Sequence, residues 1–133
     1  MFIDASALVA MLTNEDDSRS LAAIVQTSEI RITSPAAIWE AVINCGRILG
    51  IPVPEMEQEV QSFLLAMKIR VVPIPPEAAH LAIAAFHRYG KGRHPAQLNF
   101  GDCMAYACAR HYQVPLLFKG DDFAQTDIES ASA

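Results

Sequence analysis

The 133-residue sequence has little that suits a membrane or a disulfide-stapled fold. Each apolar run is broken by a charge or a proline before it reaches the ~20 residues a membrane-spanning helix needs, so no membrane partner is expected. No basic stretch precedes the first apolar residues, so the N-terminus does not read as a signal peptide, and a cytoplasmic location is expected. Cysteine is scarce: Cys45, Cys103 and Cys108 are odd in number and lack paired spacing. They lie among apolar neighbours and read as buried, reduced thiols. Positive charge is also short, with 10 Lys and Arg against 15 Asp and Glu and a formal net charge of −5. A chain of that sign gains no bulk attraction to a phosphate backbone, so any role on nucleic acid must work through local basic groups or bound cations. The sign also suits a basic protein partner. Repeats, low-complexity tracts and composition shifts are missing, which fits one domain over residues 1–133.

What is present is an apolar half, 52% of the residues, arranged as short strand-like runs between longer amphipathic segments. Met1–Asp4 reads as a strand ending in an acid, and residues 5–12 as a helix. A polar turn over 14–18 precedes a helix over 19–26, with Leu21, Ile24 and Val25 on its apolar face. Residues 30–33 read as a strand. Ser34-Pro35 is a strong helix start, with Ser as N-cap and Pro at the first helical position, and Gly50 lies just beyond that helix's end. Residues 51–54 read as a turn, 55–67 as a helix and 70–72 as a strand. A helix follows over 77–89, then a basic loop over 91–97, a helix over 102–112, and a strand over 114–118 before a turn at 120–122. This alternation predicts an α/β fold with a small central parallel sheet covered on both faces. Ligands of such sheets bind outside the carboxyl ends of the strands.

Acids stand at those ends. Asp4 closes the first strand, Asp102 opens a late helix, and Asp121 and Asp122 follow the last strand. Glu40 lies in the Ser34-capped helix among apolar neighbours, where a carboxylate is awkward unless it faces a polar pocket. Singly, the aspartates read as helix caps or turn residues. Together they form a constellation that is expensive to assemble, since two like charges about 4 Å apart repel by roughly 4 kcal/mol at an effective dielectric near 20. A divalent cation turns that repulsion into binding. All-oxygen ligation suits Mg²⁺ or Mn²⁺ rather than zinc, and such ions promote hydrolysis of phosphodiesters.

Four segments, in order and spacing, resemble the PIN domain, and most closely its VapC-type toxins: Phe2-Ile3-Asp4-Ala5-Ser6, Ser34-Pro35-Ala36-Ala37-Ile38-Trp39-Glu40, Asn99-Phe100-Gly101-Asp102-Cys103, and Pro115 to Phe123 with Thr126-Asp127 after it. The resemblance implies a three-layer α/β/α fold and a Mg²⁺- or Mn²⁺-dependent endoribonuclease cutting RNA, often tRNA. It also implies silencing by a cognate VapB-type antitoxin, and a homodimer. Asp4, Glu40 and Asp102 carry over as metal-binding or catalytic acids. The usual position of the next acid holds Gly120. Asp122, directly before Phe123, aligns best with the following acidic position, and Asp121 is its neighbour. Where a small hydroxyl residue often follows the first acid there is Ala5, but Ser6 one place later matches and is a candidate to hydrogen-bond a carboxylate or a metal-bound water in the substrate site.

Arg93, with Lys91 and His94 in the basic loop, and Lys119 are candidate phosphate contacts, which position a strand without reading its sequence. His80, His87 and His111 have no acid or cysteine to complete a zinc set and read as structural. Trp39 reads as core or dimer contact. A catalytically inactive PIN-like module that binds RNA or protein is the alternative, and retention of the matching acids speaks against it. Other phosphate-handling α/β folds fit less well. A haloacid-dehalogenase-like site wants an Asp where Ser6 stands, and a response receiver presents an acidic pair where only Asp4 is found.

Overall fold

The computed structural model describes residues 1–132. Four two-residue strands, β1 (Phe2–Ile3), β2 (Ile32–Thr33), β3 (Arg70–Val71) and β4 (Leu116–Leu117), form one sheet in the order β3-β2-β1-β4. All pairings are parallel. Six helices connect them: α1 (Ala5–Leu12), α2 (Ser18–Thr27), α3 (Pro35–Leu49), α4 (Val53–Ala66), α5 (Ala78–Tyr89) and α6 (Phe100–Tyr112). A 3-10 turn, Phe123–Gln125, follows β4.

The strands are short, yet β1 and β4 each serve both faces of the sheet. Side chains alternate along a strand. Phe2 and Leu116 therefore enter one core with Ala82, Ala85, Leu98, Tyr106 and Cys108 from the α5–α6 side. Ile3 and Leu117 enter the other with Leu8, Val25, Cys45, Met56 and Val60 from α1–α4. The expected three layers are thus present. Parallel pairing without a solvent face explains why these strands read as continuous apolar runs. The three cysteines are buried and free, as expected.

Local signals set several boundaries. Ser34 accepts the amide of Ala37 and Pro35 occupies the first turn of α3. Gly50 ends that helix in the left-handed region at φ 67°, which Gly adopts without a Cβ penalty. Three expectations are corrected. The helix α4 starts at Val53 instead of 55, because Pro54 is tolerated in a first turn where its missing N–H has no partner to lose. Asp102 does not open α6: the helix begins at Phe100 with Asn99 as N-cap, and Asp102 is the third helical residue. The last strand spans only Leu116–Leu117, with Val114 and Phe118 outside it. The backbone of β4 is instead covered on its outer edge by the C-terminal segment, where the Leu116 amide donates to Glu129 O and Ala131 N donates to Leu116 O.

The chain runs from β1 to β2 on one side and places β4 on the other. The crevice at this reversal of direction opens beyond the carboxyl ends of β1 and β4, directly above Asp4.

Candidate functional site

A cleft of about 400 Å³ lies at that point, lined by Asp4, Ser6, Glu15, Glu40, Asn44, Arg47, Asp102 and Lys119, with Ala5, Val9 and Ile48 as its apolar wall. Four separate segments build it. Asp4 leaves β1 as the N-cap of α1 and is 4% exposed. Its Oδ2 accepts the Ser6 amide at 3.0 Å and the Ser6 hydroxyl at 2.6 Å. Ser6 Oγ in turn accepts the Lys119 amide at 3.0 Å, which ties the end of β4 to the first acid. The hydroxyl of Ser6 is therefore engaged on both sides and orients Asp4.

Asp102 is held by a reciprocal capping box. Its amide donates to Asn99 Oδ1 at 3.0 Å, and its Oδ2 accepts the Asn99 amide at 3.1 Å. This fixes the carboxyl at the first turn of α6, where the helix dipole favours negative charge. Glu40 approaches from α3, and no hydrogen bond to its carboxyl is found among the described residues. Gly101 makes room for it: a Cβ built at residue 101 would overlap the Glu40 carboxylate.

The electrostatics follow from this crowding. Burial, then the charges of Asp4 and Asp102, raise Glu40 to about 7. Asp102 is pushed up to about 6, first by burial and then by Asp4 and Asp122, against the opposing Asn99 hydrogen bond. Burial also raises Asp4, although the Ser6 hydroxyl and the Ser6 and Ala5 amides oppose it. Asp4, Glu40 and Asp102 are thus brought together as the sequence led one to expect. Asp122 is exposed and outside the cleft lining, but its charge acts on Asp102; Asp121 is exposed beside it.

The candidate cations are disposed differently. Lys119 lines the cleft, but its ammonium is paired with Glu15 and lies 3.3 Å from Asp17. Arg93 is outside the lining, with its guanidinium 3.4 Å from the His87 carbonyl and 3.5 Å from the His87 ring. His94 is structural: its Nδ1 accepts the Ala96 amide and its ring packs edge-on against Tyr89. Glu15, Asn44 and Arg47 were missed in the sequence. A signal existed for the last two, since 40, 44 and 47 share one helix face.

The donor set is all oxygen and lacks a thiolate or imidazole, which fits a hard divalent cation. Among the described residues no three acidic, histidine or cysteine side chains are gathered closely enough to enclose an ion alone. A Mg²⁺ or Mn²⁺ ion there would need water and substrate phosphate to complete its shell.

Comparison with known proteins adds four findings. The PIN domain model matches residues 1–129. The chain is 40% identical over 132 residues to ribonuclease VapC30 of Mycobacterium tuberculosis, covering 99% of this chain and 98% of that one. In fold it is similar to the Mycobacterium tuberculosis toxin VapC20, described as cleaving the sarcin-ricin loop, with TM-score 0.75, 15% identity and coverage of 96% and 95%. It is also similar to a chain of a toxin–antitoxin complex from Klebsiella pneumoniae, with TM-score 0.68, 15% identity and coverage of 95% and 92%.

Proposed function

The chain belongs to the PIN-domain family and is a VapC-type endoribonuclease, the toxin of a toxin–antitoxin pair, and on that premise we propose that Asp4, Glu40 and Asp102 form its hydrolytic centre. One observation carries the assignment. Three carboxyls, one capping α1 and two from within α3 and α6, share a cleft; the charge of Asp4 raises both Glu40 and Asp102, and the lysine of the cleft is already paired with Glu15. A fold accepts such a cluster when something outside the chain supplies the positive charge.

VapC-type PIN ribonucleases generally depend on a divalent metal. In this chain Asp4, Glu40 and Asp102 would hold Mg²⁺ or Mn²⁺, with Asp122 as the fourth acid in preference to Asp121, because the charge of Asp122 acts on Asp102. The ion, when bound, supplies positive charge against the phosphate and makes water a stronger acid. The protein's own groups do the rest. Ser6 holds Asp4 in one orientation, and Asn99 does the same for Asp102. Glu40, whose carboxyl is in no hydrogen bond among the described residues, is placed to take a proton from the attacking water and to pass one to the ribose oxygen as the phosphorus–oxygen bond breaks. Arg93, on the loop leading into α6, would meet phosphates further along the strand.

The partners are an RNA substrate and a cognate antitoxin. A homodimer is proposed on an apolar surface: Trp39 (65% exposed), Ile83 (69%) and Phe100 (70%) are large residues left uncovered, and Ile83 and Phe100 flank an apolar pocket between α5 and α6. Light scattering of the purified chain tests this, and Phe100→Asp should give monomers. A cytoplasmic location is proposed because its RNA substrate is there and the three thiols are free. The test of the function is cleavage of RNA with Mg²⁺, with EDTA, and by Asp102→Asn. Products only from the parent with Mg²⁺ support the reading, and undiminished cutting by Asp102→Asn contradicts it.

A further inference from the structure

An acidic cleft repels the strand it has to cut. Asp4, Glu15, Glu40 and Asp102 all line it, and the net charge of the whole chain offers no help. A bound cation serves the scissile phosphate, but adjoining phosphates need their own partners. The cleft has two basic side chains, Lys119 and Arg47. Lys119 is already committed to Glu15 and Asp17. Arg47 is exposed, and the salt bridges among the described residues use Arg88, Arg110 and Lys119 instead.

Arg47 also stands in the right register. Residues 40, 44 and 47 fall on one face of α3, and all three line the same cleft. At 1.5 Å per residue, Arg47 lies about 10 Å along the helix axis from Glu40. That is too far for the phosphate under attack and suits a neighbouring one. Its planar guanidinium presents paired N–H donors that match phosphate oxygens. Asn44, between the two, adds an amide free to donate, and Ile48 one residue beyond offers an apolar surface, 51% exposed, to a ribose or base. We propose that Arg47, with Asn44 beside it, is a positioning residue that grips an RNA phosphate adjacent to the cleaved one and draws the strand along α3. This rests on the cleft being the ribonuclease centre.

A plainer role exists. Arg47 is in the last turn of α3, where a cation favours the helix dipole. That role would affect melting and leave RNA affinity alone, so the two are separable. The probe is short random-sequence single-stranded RNA, read by fluorescence anisotropy between about 50 and 200 mM KCl with Mg²⁺ present. The full-length Asp102→Asn protein serves as the non-cleaving parent. Adding Arg47→Ala should weaken binding about tenfold at low salt and lower the slope of log K against log salt by about 0.7, the loss of one phosphate contact on a single strand. Arg47→Lys should restore the slope. In the otherwise native enzyme, Arg47→Ala should raise KM and spare kcat, with melting unchanged. Equal affinity and slope with and without Arg47 would overturn the proposal, as would failure of the Asp102→Asn protein to bind RNA at low salt. The two readings fail separately, because RNA cut by Asp102→Asn refutes the catalytic assignment while an unchanged slope refutes only the role of Arg47.

Discussion

Asp102 and Asp127 both engage helix α6, one from its first turn and the other through Tyr106 and Arg110 further along, but their electrostatic surroundings are opposite. Asp127 accepts the Tyr106 hydroxyl at 2.6 Å, pairs with Arg110 at 2.7 Å and meets Arg88 at 3.2 Å. Burial works against its ionisation, but those hydrogen bonds and the Arg110 charge prevail and hold it down at about 2. Asp102 and Glu40 have other acids for neighbours and rise to about 6 and about 7. An acid with its counter-charge built in is a latch, here fastening the C-terminal segment to α6. Acids left without one form a site that a ligand completes. Position in the sequence does not separate the two, since Asp127 falls within the same recognised stretch as Asp122.

The sharpest way to break this contrast is to neutralise one acid from each group. Asp102→Asn should reduce RNA cleavage by on the order of a hundredfold or more, since a group acting directly on the reaction contributes at least that much. Asp127→Asn should cut RNA at nearly the parental rate but melt earlier, by about 1 kcal/mol, a figure reduced for the exposure of the pair. Initial rates and thermal melts of both variants check this, and equal rates would erase the distinction.

Gly101→Ala probes the same cleft without removing a charge. Alanine is the better helix former in α6 by roughly 0.5–1 kcal/mol, so the backbone should tolerate it. The added methyl would displace the Glu40 carboxylate, and a misplaced catalytic group costs roughly tenfold to a hundredfold in rate. A folded, slower enzyme is expected. A weaker perturbation is Ser6→Ala, which removes the 2.6 Å bond to Asp4 and the acceptor for the Lys119 amide. Activity should fall about tenfold, the scale of one hydrogen bond to a charged group, and Ser6→Thr should recover most of it.

The smallest expected effect concerns pH. The folded protein holds protons on Glu40 and Asp102 more tightly than the unfolded chain does, where their values are 4.5 and 3.8. Metal-free stability contributed by these groups should therefore be fully present below about pH 3.8 and decline as pH rises from 3.8 to about 6 for Asp102 and from 4.5 to about 7 for Glu40. Asp127 has the reverse sign, and its contribution is lost only as pH falls from 3.8 towards about 2. Melting curves in EDTA should show a decline of a few degrees across the upper window. Added Mn²⁺ should offset that decline at pH 8 and do little at pH 5, because the ion binds ionised acids.

Much of the scaffold was legible because the signals are local. Ser34-Pro35 and Gly50 bracket α3, and Asp4 terminates β1 while capping α1. Boundaries shifted where a neighbouring residue supplied the helix start instead of the acid nearest it. Asn99 takes the cap that Asp102 alone would suggest, and Val53-Pro54 starts α4 ahead of the first charged residue. The three acids were legible by type and position. Their surroundings were not, because they arise from contacts between distant segments. Nothing near residue 119 in the sequence announces that Glu15 and Asp17 neutralise Lys119. Nothing near residue 101 shows that its missing side chain leaves space for Glu40. Trp39, open to the core or to a partner on sequence alone, lies on the surface.

Calorimetric titration of the metal-free protein with Mn²⁺ at pH 8 tests the central claim most directly. The acids of the cleft should give the parent a saturable uptake that Asp4→Asn and Asp102→Asn abolish and Asp127→Asn leaves intact. Uptake that survives both cleft substitutions, or none in the parent, would contradict it.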